Sequence, residues 1–117
     1  MQEQSFPKAA ESTAFRELLA LGLSHLLNDT LQSVITAVYP LLKESMALSF
    51  VQIGFITLVY QISASVFQPL VGFYLDKKPN PWFLPIGMSF TLIGLVVLAF
   101  SGTLHQVLFS VFLVGIG

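Results

Sequence analysis

The chain has 117 residues, 55% hydrophobic and 9% charged, with five basic and six acidic side chains. A water-soluble domain carries about 25% charged residues to keep its surface wet, so an ordinary soluble fold is excluded. The formal net charge of −1 excludes nucleic-acid binding through a basic surface. Zero cysteines exclude a disulfide scaffold, a thiolate metal site and a thiol nucleophile. What remains is an all-α integral membrane protein.

Residues 1–16 are polar, with Glu3, Lys8, Glu11 and Arg16 among them. They read as a cytoplasmic N-terminus, frayed or folded as a short surface helix. A spanning helix needs about 20 mostly apolar residues to cross roughly 30 Å of hydrocarbon. The first span is expected at 17–42, where 18–42 holds only His25 and Asp29 as ionisable groups. A signal peptide has a basic leader and a short apolar core. Here the leader sets Glu3, Glu11 and Glu17 against Lys8 and Arg16, and the core is too long and holds His25, Asn28 and Asp29, so the segment reads as a retained span.

The second span is expected at 50–75, opened by a capping box of Ser49 and Gln52. The third is expected at 82–101, with Asn80 and Pro81 as N-cap and first-turn pair and Gly102 closing it. Thr103 followed by Gln106 opens a fourth helix at 104–117. That segment makes about 21 Å of helix, too little to cross a bilayer. The expectation is therefore an N-terminal piece of a longer protein. Lys8, Arg16, Lys77 and Lys78 fall on one side of the membrane and only Lys43 on the other. The basic side faces the cytoplasm.

Polar residues inside the spans carry the functional reading. His25, Asn28, Asp29, Gln32 and Thr36 form one stripe at helical spacing, continued by Tyr39. Asp29 is the one carboxylate well inside a span. A charged Asp at mid-bilayer costs about 2.5–3.5 kcal/mol even on the lenient insertion scale, so it should face protein or water. It is read as a group that takes up and releases a proton, with His25 one turn away to tune it. Asn28 and Gln32 are read as uncharged donors lining the same cavity. The bland alternative is a hydrogen-bonded cluster that glues helices together.

The second span repeats the pattern with Thr57, Gln61, Ser65, Gln68 and Gly72, ending at Asp76. Gln61 and Gln68 either bind the polar head of a solute or pair across to the first stripe. Pro69 frees a backbone carbonyl near Ser65 and is expected to kink this helix. Gly87, Thr91 and Gly94 share a face of the third span and read as close helix packing. The sequence holds no nucleophile elbow, phosphate-cradling loop or metal-ligand spacing. No enzyme activity, cofactor or metal is expected.

The segment Gly72-Phe-Tyr-Leu-Asp76-Lys77 resembles the core of a loop signature of major facilitator superfamily transporters, lying between their second and third helices. That signature runs Gly, three residues, Asp and a basic residue, then typically a glycine and further basic residues. Pro79, Asn80 and Pro81 stand in place of the later part. The strings at 23–29, 39–42, 52–54, 68–69 and 81–88 are similar to bacterial drug exporters of that superfamily. The likeness covers about residue 20 to the end.

The resemblance implies a twelve-helix inner-membrane protein that works by alternating access and exports a small solute against proton entry. It implies a cytoplasmic gate at Gly72, Asp76 and Lys77, and antibiotic resistance as the outcome of efflux. The partners implied are solute, protons, the lipid bilayer and the remaining helices of the full-length transporter, with no nucleic acid. The second basic motif of such exporters is not recognisable before Gly117, so its arginine is unassigned. Two other readings stay open: a complete four-helix membrane protein acting as a dimeric multidrug transporter, and a non-transporting membrane anchor subunit.

Overall fold

A computed structural model describes residues 8–117. Residues 1–7 of the expected polar N-terminus lie outside the described residues. Five α-helices follow in order: α1 (Lys8–Ala37), α2 (Tyr39–Ser45), α3 (Phe50–Lys77), α4 (Phe83–Ala99) and α5 (Leu104–Ile116). All regular structure among the described residues is helical. The chain divides into two compact units, one ending at Thr30 and one running from Leu31 to Gly117.

The helix expected at 17–42 is extended at one end and broken at the other. It begins at Lys8 because Ala9, Ala10, Glu11 and Ala14 are strong helix formers. It ends at Ala37 because Pro40 has no N–H to offer the Thr36 carbonyl, and its ring crowds that carbonyl. Val38 forms the joint, with φ −90° and ψ −3°. Pro40 then sits in the first turn of α2, where no N–H is needed.

The turn after α2 is tight. Leu48 donates its N–H to the Lys43 carbonyl at 3.0 Å, with Ala47 at φ 50° between them. This is a Schellman closure, and its usual apolar contact is supplied by buried Leu42 and Leu48. Ser49 then caps α3 reciprocally with Gln52. Gln52 N–H donates to Ser49 Oγ at 3.2 Å, and Ser49 N–H donates to Gln52 Oε1 at 2.8 Å. From there α3 runs for 28 residues without interruption through Pro69.

Both ends of α4 differ from the sequence expectation. Asn80 Oδ1 accepts the Trp82 N–H at 3.0 Å, which folds an Asx turn ahead of the helix and makes Trp82 the N-cap. At the other end Ser101, rather than Gly102, covers the last carbonyls. Its Oγ donates to Leu98 O at 2.7 Å and Val97 O at 3.0 Å. Gly102 gives its N–H to Gln106 Oε1 at 2.8 Å and so helps open α5.

α5 is the helix against which both α3 and α4 pack. Its buried residues are Val107, Ser110, Val111, Val114 and Gly115, spaced three, one, three and one apart on a single face. Toward α4, a Cβ added at Gly94 would lie 2.9 Å from the Ser110 carbonyl. Ser110 Oγ donates to the Gly94 carbonyl at 2.8 Å across the same contact. Toward α3, a Cβ on Gly115 would lie 2.6 Å from Ser63 Cβ and 3.0 Å from the Tyr60 carbonyl. An edge-to-face pair of Phe67 and Phe112, with centroids 6.0 Å apart, extends this second contact. Small residues let the backbones meet.

The large apolar side chains point the other way. Phe50, Val51 and Phe100 are each at least 80% exposed. By length and hydropathy, α3 is the one described helix able to cross a membrane. α4 and α5 are apolar but shorter, at 17 and 13 residues.

The packing generates a test. Gly115→Leu should lower unfolding stability in detergent by about 1–3 kcal/mol, because backbone must move to admit the side chain. Gly54→Ala, where a Cβ meets open space, should be neutral or stabilising by roughly 0.5–1 kcal/mol. Denaturant titration followed by circular dichroism checks both. Equal behaviour of the two variants would contradict the close approach of α3 and α5.

Candidate functional site

The candidate residues fall in both units. His25, Asn28 and Asp29 lie in the first, on α1. His25 and Asp29 are exposed and Asn28 is half-buried. Within this stretch the hydroxyls of Ser24 and Thr30 donate back to the carbonyls of Ala20 (2.8 Å) and Leu26 (2.7 Å). Those two hydroxyls are therefore used by the helix itself.

In the second unit two hydrogen bonds join the last turns of α1 and the residue after its break to α3. Tyr60 Oη donates to Gln32 Oε1 at 2.8 Å. Thr57 Oγ1 lies 3.0 Å from Tyr39 Oη and 3.1 Å from the Ile53 carbonyl. Both cross-helix bonds are partly buried, where a hydroxyl without a partner would carry a desolvation cost. Gln32 and Thr57 belong to the two polar stripes read from the sequence. Tyr60 does not: it was missed because an aromatic in an apolar helix counts as core by pattern. Its hydroxyl is the available signal, since a buried phenol needs a partner.

Gln61 and Gln68 are exposed. They share a face of α3 with Thr57, Ser65 and Gly72, turned by roughly 120° from the face of Tyr60, Ser63 and Phe67 that meets α5. The glutamines and α5 therefore occupy separate sides of the helix. A Cβ on Gly72 would meet open space. Asp76 and Lys77 end α3 and are exposed, with Lys77 Nζ 4.2 Å from the centre of the Phe73 ring. A basic residue in the last turn also complements the helix dipole.

Buried hydroxyls elsewhere are structural. Ser63 donates to Val59 O at 2.7 Å, and Thr91 to Gly87 O at 3.4 Å. Among the described residues no group of three or more His, Cys, Asp or Glu side chains is placed to hold a metal ion. The arrangement supplies polar faces on α1 and α3, exposed carboxylates on α1 at Glu11, Glu17 and Asp29, and a charged end on α3.

Comparison with known proteins places this arrangement. The chain is 51% identical to the fosmidomycin resistance protein of Escherichia coli (strain K12), across 100% of its own length and 30% of that protein's. It is 42% identical to an uncharacterized MFS-type transporter of Bacillus subtilis (strain 168), over 91% of the chain and 26% of the relative. The chain thus spans less than a third of each of these relatives. No solved structure matches it. The Major Facilitator Superfamily description matches residues 21–117. On that match, covering every helix from the middle of α1 onward, the chain belongs to the major facilitator superfamily.

Proposed function

We propose that the chain is the N-terminal part of a proton-coupled secondary transporter that exports a small solute. The observation carrying this reading is the 51% identity, over the whole chain, to a protein named for fosmidomycin resistance. In the reading, Asp29 carries the proton and His25 tunes it. Asn28, Gln32, Gln61 and Gln68 line the solute and proton pathway. Gly72, Asp76 and Lys77 form a gate on the cytoplasmic side. The outward-facing apolar surface meets lipid and the remaining helices of the complete protein.

The physical logic is that of coupling. A carboxylate on an apolar helix is costly when charged unless water or a partner reaches it. A group open alternately to each side can load a proton on one side and release it on the other. Binding either ligand then biases the same two-state equilibrium, and the coupling is reciprocal. The glutamines provide neutral donors and acceptors for a polar solute without adding charge.

Orientation follows the basic flanks: N-terminus and 76–80 in the cytoplasm, 43–49 outside. Cysteines introduced singly at Ala47 and Asn80 in a cysteine-free background should label differently in intact cells. An impermeant maleimide should reach position 47 and not position 80. The reverse pattern overturns the orientation.

Asp29→Asn fixes the neutral state, so the complete transporter should bind solute yet lose efflux driven by a pH gradient. Asp29→Glu should keep part of it. Efflux from proteoliposomes under an imposed gradient reads this directly, and parental rates in Asp29→Asn would move the proton to another residue. Asp76→Asn should cut transport while leaving membrane insertion intact. Unchanged transport would reduce Asp76 to a charge at a helix end.

A further inference from the structure

We infer that Tyr60 is a positioning residue for the solute pathway: its hydroxyl holds the Gln32 amide by the oxygen, so that Gln32 meets solute with its NH2 group. The inference rests on the proposed place of Gln32 in that pathway and adds a residue and a polarity to it. Tyr60 Oη donates to Gln32 Oε1 at 2.8 Å, from α3 to the last turns of α1. Among the described residues this is the one hydrogen bond that the Gln32 side chain makes. Both N–H donors of the amide are therefore left for water or a ligand. A solute bound there has to offer a hydrogen-bond acceptor, such as a carbonyl or acid oxygen.

Both ends of this bond are fixed by packing. Three residues after Gln32, Ile35 is fully buried in the apolar core of the second unit, and Tyr60 packs against the same core. Behind Tyr60, its backbone carbonyl stands 3.0 Å from where a Cβ on Gly115 would lie, at the seam with α5. Ring and backbone are thus held without the hydroxyl, and the hydroxyl's own contribution is to set the Gln32 amide.

That setting matters because the last torsion of a glutamine is broad and roughly two-fold. With no donor on one side, the amide would present oxygen and nitrogen alike. A phenol donating to the oxygen chooses the nitrogen for the ligand. It also removes the ordering cost before solute arrives, which favours binding without a new contact.

The test uses the complete protein in proteoliposomes under an imposed pH gradient, with fosmidomycin as the probe. Initial rates over a range of concentrations give an apparent KM and a maximal rate. Tyr60→Phe should raise KM roughly three- to tenfold, the net worth of one hydrogen bond, with the maximal rate near parental. Gln32→Ala should raise KM at least as far. Adding Tyr60→Phe to Gln32→Ala should raise it no further, since Tyr60 acts through Gln32. Ser110→Ala removes another interhelical hydrogen bond, to the Gly94 carbonyl, that involves no pathway residue. It should leave KM parental, which separates setting the amide from holding helices together.

A parental KM in Tyr60→Phe, with KM raised in Gln32→Ala, overturns the positioning role. Effects that multiply in the double variant overturn it as well, as does an equal rise in Ser110→Ala. A parental KM in Gln32→Ala instead removes Gln32 from the pathway, and the inference falls with that reading. No movement of fosmidomycin by the parental protein overturns the export reading itself.

Discussion

The close approach of α5 to both α3 and α4 is the constraint on which the rest of the second unit depends. It is made by residues too small to hold helices apart: Gly115 against Ser63 and Tyr60, and Gly94 against Ser110. Val107, Val111 and Val114 are buried in the same seam, while many large apolar side chains, Phe50, Val51 and Phe100 among them, stay exposed. Such a surface has no stable place in water, where its burial is the main driving force of folding. It has one in hydrocarbon, where van der Waals packing and interhelical hydrogen bonds hold helices together. The packing and the membrane environment are thus one argument.

Much of this was legible in the sequence, for identifiable reasons. The charge-free stretches located the helices because burying charge in lipid is costly. The Ser49–Gln52 box was readable because both partners lie within one turn. The face of Gly87, Thr91 and Gly94 was readable because small residues at helical spacing have few other uses. Thr91 and Gly94 are buried against α5.

Other features depended on competition that spacing does not reveal. Pro40 broke the first helix at Val38, a stop signal that the apolar run around it hides. Asn80 looked like an N-cap, yet its side chain closed a turn one step earlier. Gly102 looked like a terminator, while Ser101 satisfied the carbonyls. For the candidate site, the polar stripes were visible from periodicity. The tie from Gln32 to Tyr60 was not, because it depends on how far a phenol reaches between helices. That tie gives Gln32 a definite neighbour, whereas Gln61 and Gln68 remain on an exposed face.

Family membership is the ground on which coupled transport is proposed, with Asp29 as the proposed proton carrier. The most direct test of coupled transport is solute movement by the complete protein in proteoliposomes, with and without an imposed pH gradient. The account predicts that solute accumulates against its own gradient only while the proton gradient lasts, and that a protonophore abolishes it. Solute flux that is always downhill and indifferent to the proton gradient would contradict it.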